Sequence, residues 1–237
     1  HFAYGSVALV GGYSAYVLIN LLSFPIWIAI ILAVLLAAVL GVILDLLPYR
    51  DANQLPPLNI FIIALGLMTL LNNSLQLIFG PDQFQVKLHG DGLINIGPLV
   101  MTNLRVILVL TAVLIMIVNW IILRKTKMGI AVRAVSNNRE AARLMGISIR
   151  KVSAFVFAYT SAIGALVGVI YGGLYSIVPT RGDDLIFFGF AAIILAGMGN
   201  LMGAFIASLI LGIFQALMIG YVSGLYSTTL VFGLIIV

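Results

Sequence analysis

Long apolar blocks separated by short polar connections set the pattern of this chain. The blocks at 7–22, 26–44, 58–79, 104–123 and 152–171 each come close to the ~20 apolar residues that a helix needs to cross a bilayer. Beyond Asp184 the pattern changes. The block 185–196 ends in Gly197, Met198, Gly199 and Asn200, is too short to cross, and reads as a broken or re-entrant helix. The block 201–219 reads as a further span and 225–237 as an incomplete one. The expected fold is therefore all-α, a polytopic membrane protein of about seven or more transmembrane helices in a single transmembrane domain over 1–237. The chain opens on His1 inside an already patterned segment and stops at Val237 within an apolar run, so both ends are expected to be trimmed.

Composition agrees with the pattern. The chain is 63% hydrophobic and 8% charged, against about 25% charged in soluble domains, which leaves too little charge to cover a water-exposed surface. Charge placement adds an orientation. Eight of the twelve Lys and Arg residues, with one acid, lie in 124–151, a net charge of +7, whereas the connections 45–57, 80–103 and 174–184 each carry −1. Burying those eight side chains in hydrocarbon would cost on the order of 20 kcal/mol, so the segment belongs in water or on a partner, and on the cytoplasmic side. Nucleic acid is not an expected partner, because the basic charge is confined to one loop; membrane lipid is.

The same orientation places 80–103 and 174–184 outside. The stretch 80–103 is rich in turn residues and alternates around Phe84, Val86 and Leu88, which predicts a short hairpin or a surface helix. Gly164, Gly168 and Gly172 recur every four residues in one span, and Gly199, Gly203 and Ala207 in another. Such spacing puts small residues on one helix face, where two backbones can approach closely.

Inside the basic loop, Ser136, Asn137 and Asn138 end one helix and begin another. With Asn137 as N-cap, Glu140 falls at the third helical position and completes a capping box, while Gly146 lies where the helix ends. So short a helix needs a surface to pack on. Ala141, Leu144 and Met145 form an apolar edge, and Arg139 and Arg143 stack one turn apart. From these residues alone, the helix lies either on anionic headgroups or on a protein partner.

The run from Gly129 to Val135, followed by Ala141, Ala142, Leu144, Met145, Gly146 and Ile147, resembles the cytoplasmic coupling loop of the permease subunits of branched-chain amino acid ABC importers. The stretch 1–16, HFAYGSVALVGGYSAY, is similar to that family's N-terminal signature, and 189–212, GFAAIILAGMGNLMGAFIASLILG, to its Gly-rich C-terminal one. The resemblance implies a permease in the cytoplasmic membrane of a bacterium or archaeon, moving branched-chain or related amino acids by alternating access. It implies that loop 124–151 docks on an ATPase through Arg139, Glu140, Ala141, Arg143, Leu144, Met145 and Gly146. The implied partners are two cytoplasmic ABC ATPase subunits, a second permease, identical or related, and an extracytoplasmic solute-binding protein. The chain has no G-x-x-x-x-G-K-[ST] phosphate loop, so no cofactor is expected on it, and ATP and Mg belong to the partner subunits.

Polar residues inside spans point to a solute route, because lipid-facing amides are costly. The densest group is Asn72, Asn73, Ser74 and Gln76, of which Asn72, Asn73 and Gln76 are the candidate path residues. No span carries an acid or base near its middle, which disfavours a proton relay or ion-coupled carrier. There is no cysteine, no metal-ligand spacing and no nucleophile beside a base, so catalysis is not expected. Two alternatives stand beside amino acid import: an ABC permease for urea, a sugar or another small polar solute, and a passive small-solute channel.

Overall fold

The computed structural model describes residues 3–49, 56–88, 92–96, 99–179, 181–197 and 199–221. The chain divides into two compact units, His1–Gly182 and Asp183–Val237. In chain order the helices are α1 (Tyr4–Tyr16), α2 (Ile26–Leu46), α3 (Pro57–Phe79), α4 (Asn103–Lys125), α5 (Lys127–Asn137), α6 (Arg139–Leu144), α7 (Ile149–Leu174), α8 (Arg181–Ala196) and α9 (Leu201–Tyr221). A π-helical turn, Val17–Leu21, continues α1, and a hairpin of β1 (Leu93–Ile96) and β2 (Leu99–Thr102) precedes α4. Among the described residues six helices are long and apolar enough to cross a membrane: α1 with its π turn, α2, α3, α4, α7 and α9. These are the six complete spans that the apolar blocks predict; the incomplete block 225–237 lies outside the described residues.

In the first unit α7 is central, with α1 and α2 packed along it and α3 against α1. Small residues make this possible. On α7, Gly168 faces the Ala8 carbonyl so closely that a Cβ would overlap it, and Gly164 lies against the Tyr4 ring. From the other side, Gly11 abuts Ala165 and Gly12 meets the Gly168 carbonyl. Helix α2 presents Ala29, Ala33, Ala37 and Gly41 at four-residue intervals, all buried, with Gly41 against Phe157 and Ser161 of α7. Lipid tails are as apolar as leucine, so burying large apolar side chains brings little advantage here and close backbone contact dominates. Accordingly α1, among the least apolar of the spans, is half buried, while none of the apolar window of α4 is.

The connection 80–103 holds the expected hairpin, but away from the alternating residues. The hairpin in 80–103 forms at Leu93–Thr102. The alternating segment instead runs extended and pairs Phe84 with Ile177, from the connection after α7. A period of two specifies which side chains face inward but not which backbone supplies the hydrogen bonds.

Helix α8 begins at Arg181, four residues before the apolar block, and ends at Ala196 in the second unit. At 16 residues it extends about 24 Å, short of a ~30 Å hydrocarbon core. Gly199 lies outside α9 with φ +92°, so it does not share a helix face with Gly203 and Ala207, as its spacing predicts. The break between α8 and α9 needs the left-handed conformation at Gly199, and Asn200 then caps α9 by accepting from the Gly203 N–H at 3.0 Å. Ala207 and Leu211 of α9 pack against Ala191 and Ala192 of α8.

Gly168→Val places a branched side chain on the Ala8 backbone and is expected to lower stability by at least the ~1–3 kcal/mol typical of overpacking. Gly66→Ala, where nothing lies within 4 Å, is the matched control. Thermal unfolding in detergent should separate the two; equal melting temperatures would contradict the close α1–α7 contact.

Candidate functional site

The polar segment between α4 and α7 is built from two capped helices. Thr126 closes α4 and opens α5: its hydroxyl donates to the Ile122 carbonyl at 2.6 Å and accepts from the Gly129 N–H at 3.0 Å. Gly129 is buried against the backbone of Ile122 and Leu123, where a Cβ would have no room. The corner between span and loop is therefore tight and fixed. Arg124 lies 5.5 Å over the Trp120 ring, and Arg124 and Lys125 sit in the last turn of α4, where the helix dipole favours cations. Seven of the eight basic side chains in this segment are exposed; Arg139 is half-buried.

Helix α5 runs to Asn137, and Asn138 is the N-cap of α6, its side chain accepting from the Ala141 N–H at 2.9 Å. This moves the predicted cap by one residue. Glu140 becomes the second helical residue, so no capping box forms, although its charge still favours the helix N-terminus. The predicted end at Gly146 is present in full: the Ile147 N–H donates to the Ala142 carbonyl and the Gly146 N–H to the Arg143 carbonyl, both at 3.0 Å. This is a Schellman motif with Gly146 at φ +81°. Ala142 is buried beneath α6, whereas Ala141, Glu140 and Arg143 are exposed and Leu144 and Met145 are 89% and 82% exposed. A one-and-a-half-turn helix locked at both ends thus holds two large apolar side chains outward.

A contact that sequence reasoning missed lies at the same end of α7. Asp45, in the last turn of α2, is only 5% exposed and accepts a hydrogen bond from the Ser153 hydroxyl in the first turns of α7. In the sequence Asp45 reads as the first residue of a polar connection. Its only signal is that an acid directly continues an apolar run. Nearby, Tyr49 tilts against Phe157 at 5.0 Å, and burial pushes its phenol up to about 12.

The candidate path residues all lie on α3. Leu71 and Leu75 form its buried face; Asn72 flanks that face, and Asn73 and Gln76 are exposed. Thr69, Asn73 and Gln76, with Gly66, form one exposed stripe at helical spacing. Thr69 and Asn73 bond to carbonyls one turn back, at 3.0 and 2.8 Å, which relieves part of the cost of an apolar environment. Sequence reasoning missed Thr69, four residues before Asn73. The remaining glycines of the sequence reading are not brought to this site: Gly164 and Gly168 face α1, Gly172 faces Val86, and Gly199 and Gly203 lie in the second unit.

A family model described as the branched-chain amino acid transport system / permease component matches residues 1–237. The chain belongs to this family. A probable branched-chain amino acid transport permease of Methanocaldococcus jannaschii is 29% identical, covering 100% of this chain and 77% of its own length. A high-affinity branched-chain amino acid transport permease of Escherichia coli K12 is 28% identical, covering 100% and 81%. A ribose import permease of Bacillus subtilis is 31% identical over 110 residues, which are 44% of this chain and 34% of that protein. No solved structure matches. As a member of the permease family the chain is a transport subunit and not itself an enzyme, and its six apolar helices make it a multi-pass membrane protein.

Asn138→Ala is expected to cost α6 about 1 kcal/mol, roughly a fivefold faster amide exchange across the helix, while Asn137→Ala leaves exchange unchanged. Hydrogen exchange of the Arg139–Leu144 amides reads this directly, and the opposite order would restore the cap to Asn137.

Proposed function

We propose that this permease moves branched-chain amino acids inward across the cytoplasmic membrane, by alternating access driven by separate ATPase subunits. Loop 124–151 lies on the cytoplasmic side, as its net charge of +7 favours. Two ATPase subunits hold ATP and Mg, and no cofactor binds this chain. A second permease supplies the other coupling loop and the other wall of the path, and an extracytoplasmic binding protein delivers the solute. The observation that carries this reading is α6: in a chain of this family, a doubly capped helix holds Leu144 and Met145 outward, where a partner groove can take them as an apolar anchor. Arg139, Glu140, Ala141 and Arg143 form the rim, and Gly146 frees the chain to turn back into α7.

The solute passes along the exposed stripe of α3. Asn73 and Gln76, with Thr69, are neutral hydrogen-bonding groups on a face that lipid would not tolerate cheaply, and they suit a zwitterion. The relatives that cover this whole chain are branched-chain amino acid permeases, and the ribose permease matches less than half of it, which favours amino acids over sugars.

Leu144→Asp puts a carboxylate where the apolar anchor seats and is expected to abolish both co-purification of ATPase subunits and leucine uptake, with membrane insertion normal. Wild-type uptake by a well-inserted L144D protein, or uptake insensitive to ATP depletion, would overturn this reading in favour of a passive channel. Competition by isoleucine and valine, and not by ribose or urea, is the expected solute profile.

A further inference from the structure

At the end of α7 remote from α6, the segment 84–88 is held like the middle strand of a small sheet. On one side, Phe84 exchanges both backbone hydrogen bonds with Ile177, at 3.1 and 2.7 Å, and the Val86 N–H donates to the Gly172 carbonyl at 2.9 Å. On the other side no strand lies among the described residues. A single side chain takes its place: the Asn20 amide donates to the Gln85 carbonyl at 3.0 Å and accepts from the Lys87 N–H at 3.2 Å. The Gln85 side chain adds a bond to the Gly173 carbonyl at 3.2 Å. Asn20 sits in the π-helical turn Val17–Leu21, a local departure from α geometry of the kind often found at functional positions.

The inward side chains of this strap close one end of the helix bundle. Val86, 1% exposed, rests on Gly172, and Leu88 on Gly173. Phe84 enters an aromatic nest with Tyr16 at 4.8 Å, and Tyr13 and Phe79 each at 6.1 Å. Gln85 and Lys87 face outward. Beneath the strap Tyr13 is 1% exposed, and its hydroxyl has no hydrogen-bond partner among the described residues. Buried polar groups are nearly always paired, so an orphaned hydroxyl beneath the strap calls for an explanation.

We propose that the strap 84–88 is a gate at one end of the helix bundle, latched by Asn20, and that lifting it exposes the buried Tyr13 hydroxyl as the first hydrogen-bonding group an entering solute meets. The latch suits this role because its outward bonds are backbone and amide bonds that water can replace at small net cost. Strap and α6 lie at opposite ends of the 26-residue α7, about 39 Å apart along its axis, so one helix touches both. The inference rests on the transport reading above for the solute, but the motion of the strap can be measured without it.

The chain has no cysteine, which makes engineered thiols unambiguous. Phe84 and Ile177 exchange both backbone bonds, so their Cα atoms lie about 5.5 Å apart, within disulfide reach. In proteoliposomes carrying the complete transporter, oxidised Phe84→Cys/Ile177→Cys protein is expected to lose leucine uptake at least tenfold and to regain it on reduction, with ATPase subunits still bound. Equal uptake by the fully cross-linked and reduced forms would overturn the gate. Independently of any solute, a lone thiol at Tyr13→Cys should react with a membrane-impermeant reagent several-fold faster when Asn20→Ala is added; an unchanged rate would also overturn it. If wild-type protein fails to take up leucine, the transport reading fails while the labelling rates still decide the gate. Tyr13→Phe removes a hydroxyl that has no partner among the described residues, and it should raise KM for uptake without lowering the melting temperature, whereas an unchanged KM would remove Tyr13 from the path.

Discussion

Close backbone contact along α7 is the constraint on which the first unit depends. Gly164 and Gly168 meet Tyr4 and Ala8 of α1, and Gly41 of α2 meets Phe157 and Ser161. A Cβ at Gly168 or Gly41 would overlap backbone of the facing helix, and one at Gly164 would press on the Tyr4 ring. In a bilayer this replaces the oil-drop core of a soluble domain, because association must come from van der Waals fit and not from escape from water. Many leucines and isoleucines therefore line the exterior, while the interior mixes alanine, glycine and serine with a few larger side chains such as Val7, Leu9, Tyr13 and Ile177.

A tightly gripped α7 also connects the two ends of the unit. At its N-terminal end it is joined to α6 through the Gly146 turn and tied to α2 by the bond from Ser153 to Asp45. At its C-terminal end it supplies the Gly172 carbonyl that holds Val86. Helix α6 has a second firm mount on the other side, where Thr126 and Gly129 fix the corner between α4 and α5. A push on a helix held in this way is passed on by rigid elements, which is the mechanical requirement of the proposed coupling.

The cytoplasmic helix shows how far local sequence carries. Its existence and its glycine end were legible, because Gly146 has the left-handed conformation that a Schellman turn requires and few other residues tolerate. The cap itself was not. Ser136, Asn137 and Asn138 are all chemically able to cap, and the choice fell to Asn138 because α5 continues through Asn137. Similarly, Ala141 and Ala142 have the same side chain, yet only Ala142 is buried beneath α6. Local propensity named the set of candidates, and packing selected among them.

The sequence by itself determined the bilayer as solvent, the six complete spans, the basic segment between α4 and α7 and the small-residue face of α7, because each follows from side-chain transfer energies and helical spacing within a short window. Only the tertiary structure decided that, of the alternating residues, Phe84 pairs with Ile177 and Val86 with Gly172, about ninety residues away. It also decided that Asp45 is buried against Ser153, that Asn20 stands in for a strand, and that Gly199 breaks a helix which its spacing would have continued. The physical reason is common to all four. Each depends on which distant backbone or side chain supplies a hydrogen bond, or on where a helix must stop to pack, and a window of neighbouring residues contains neither.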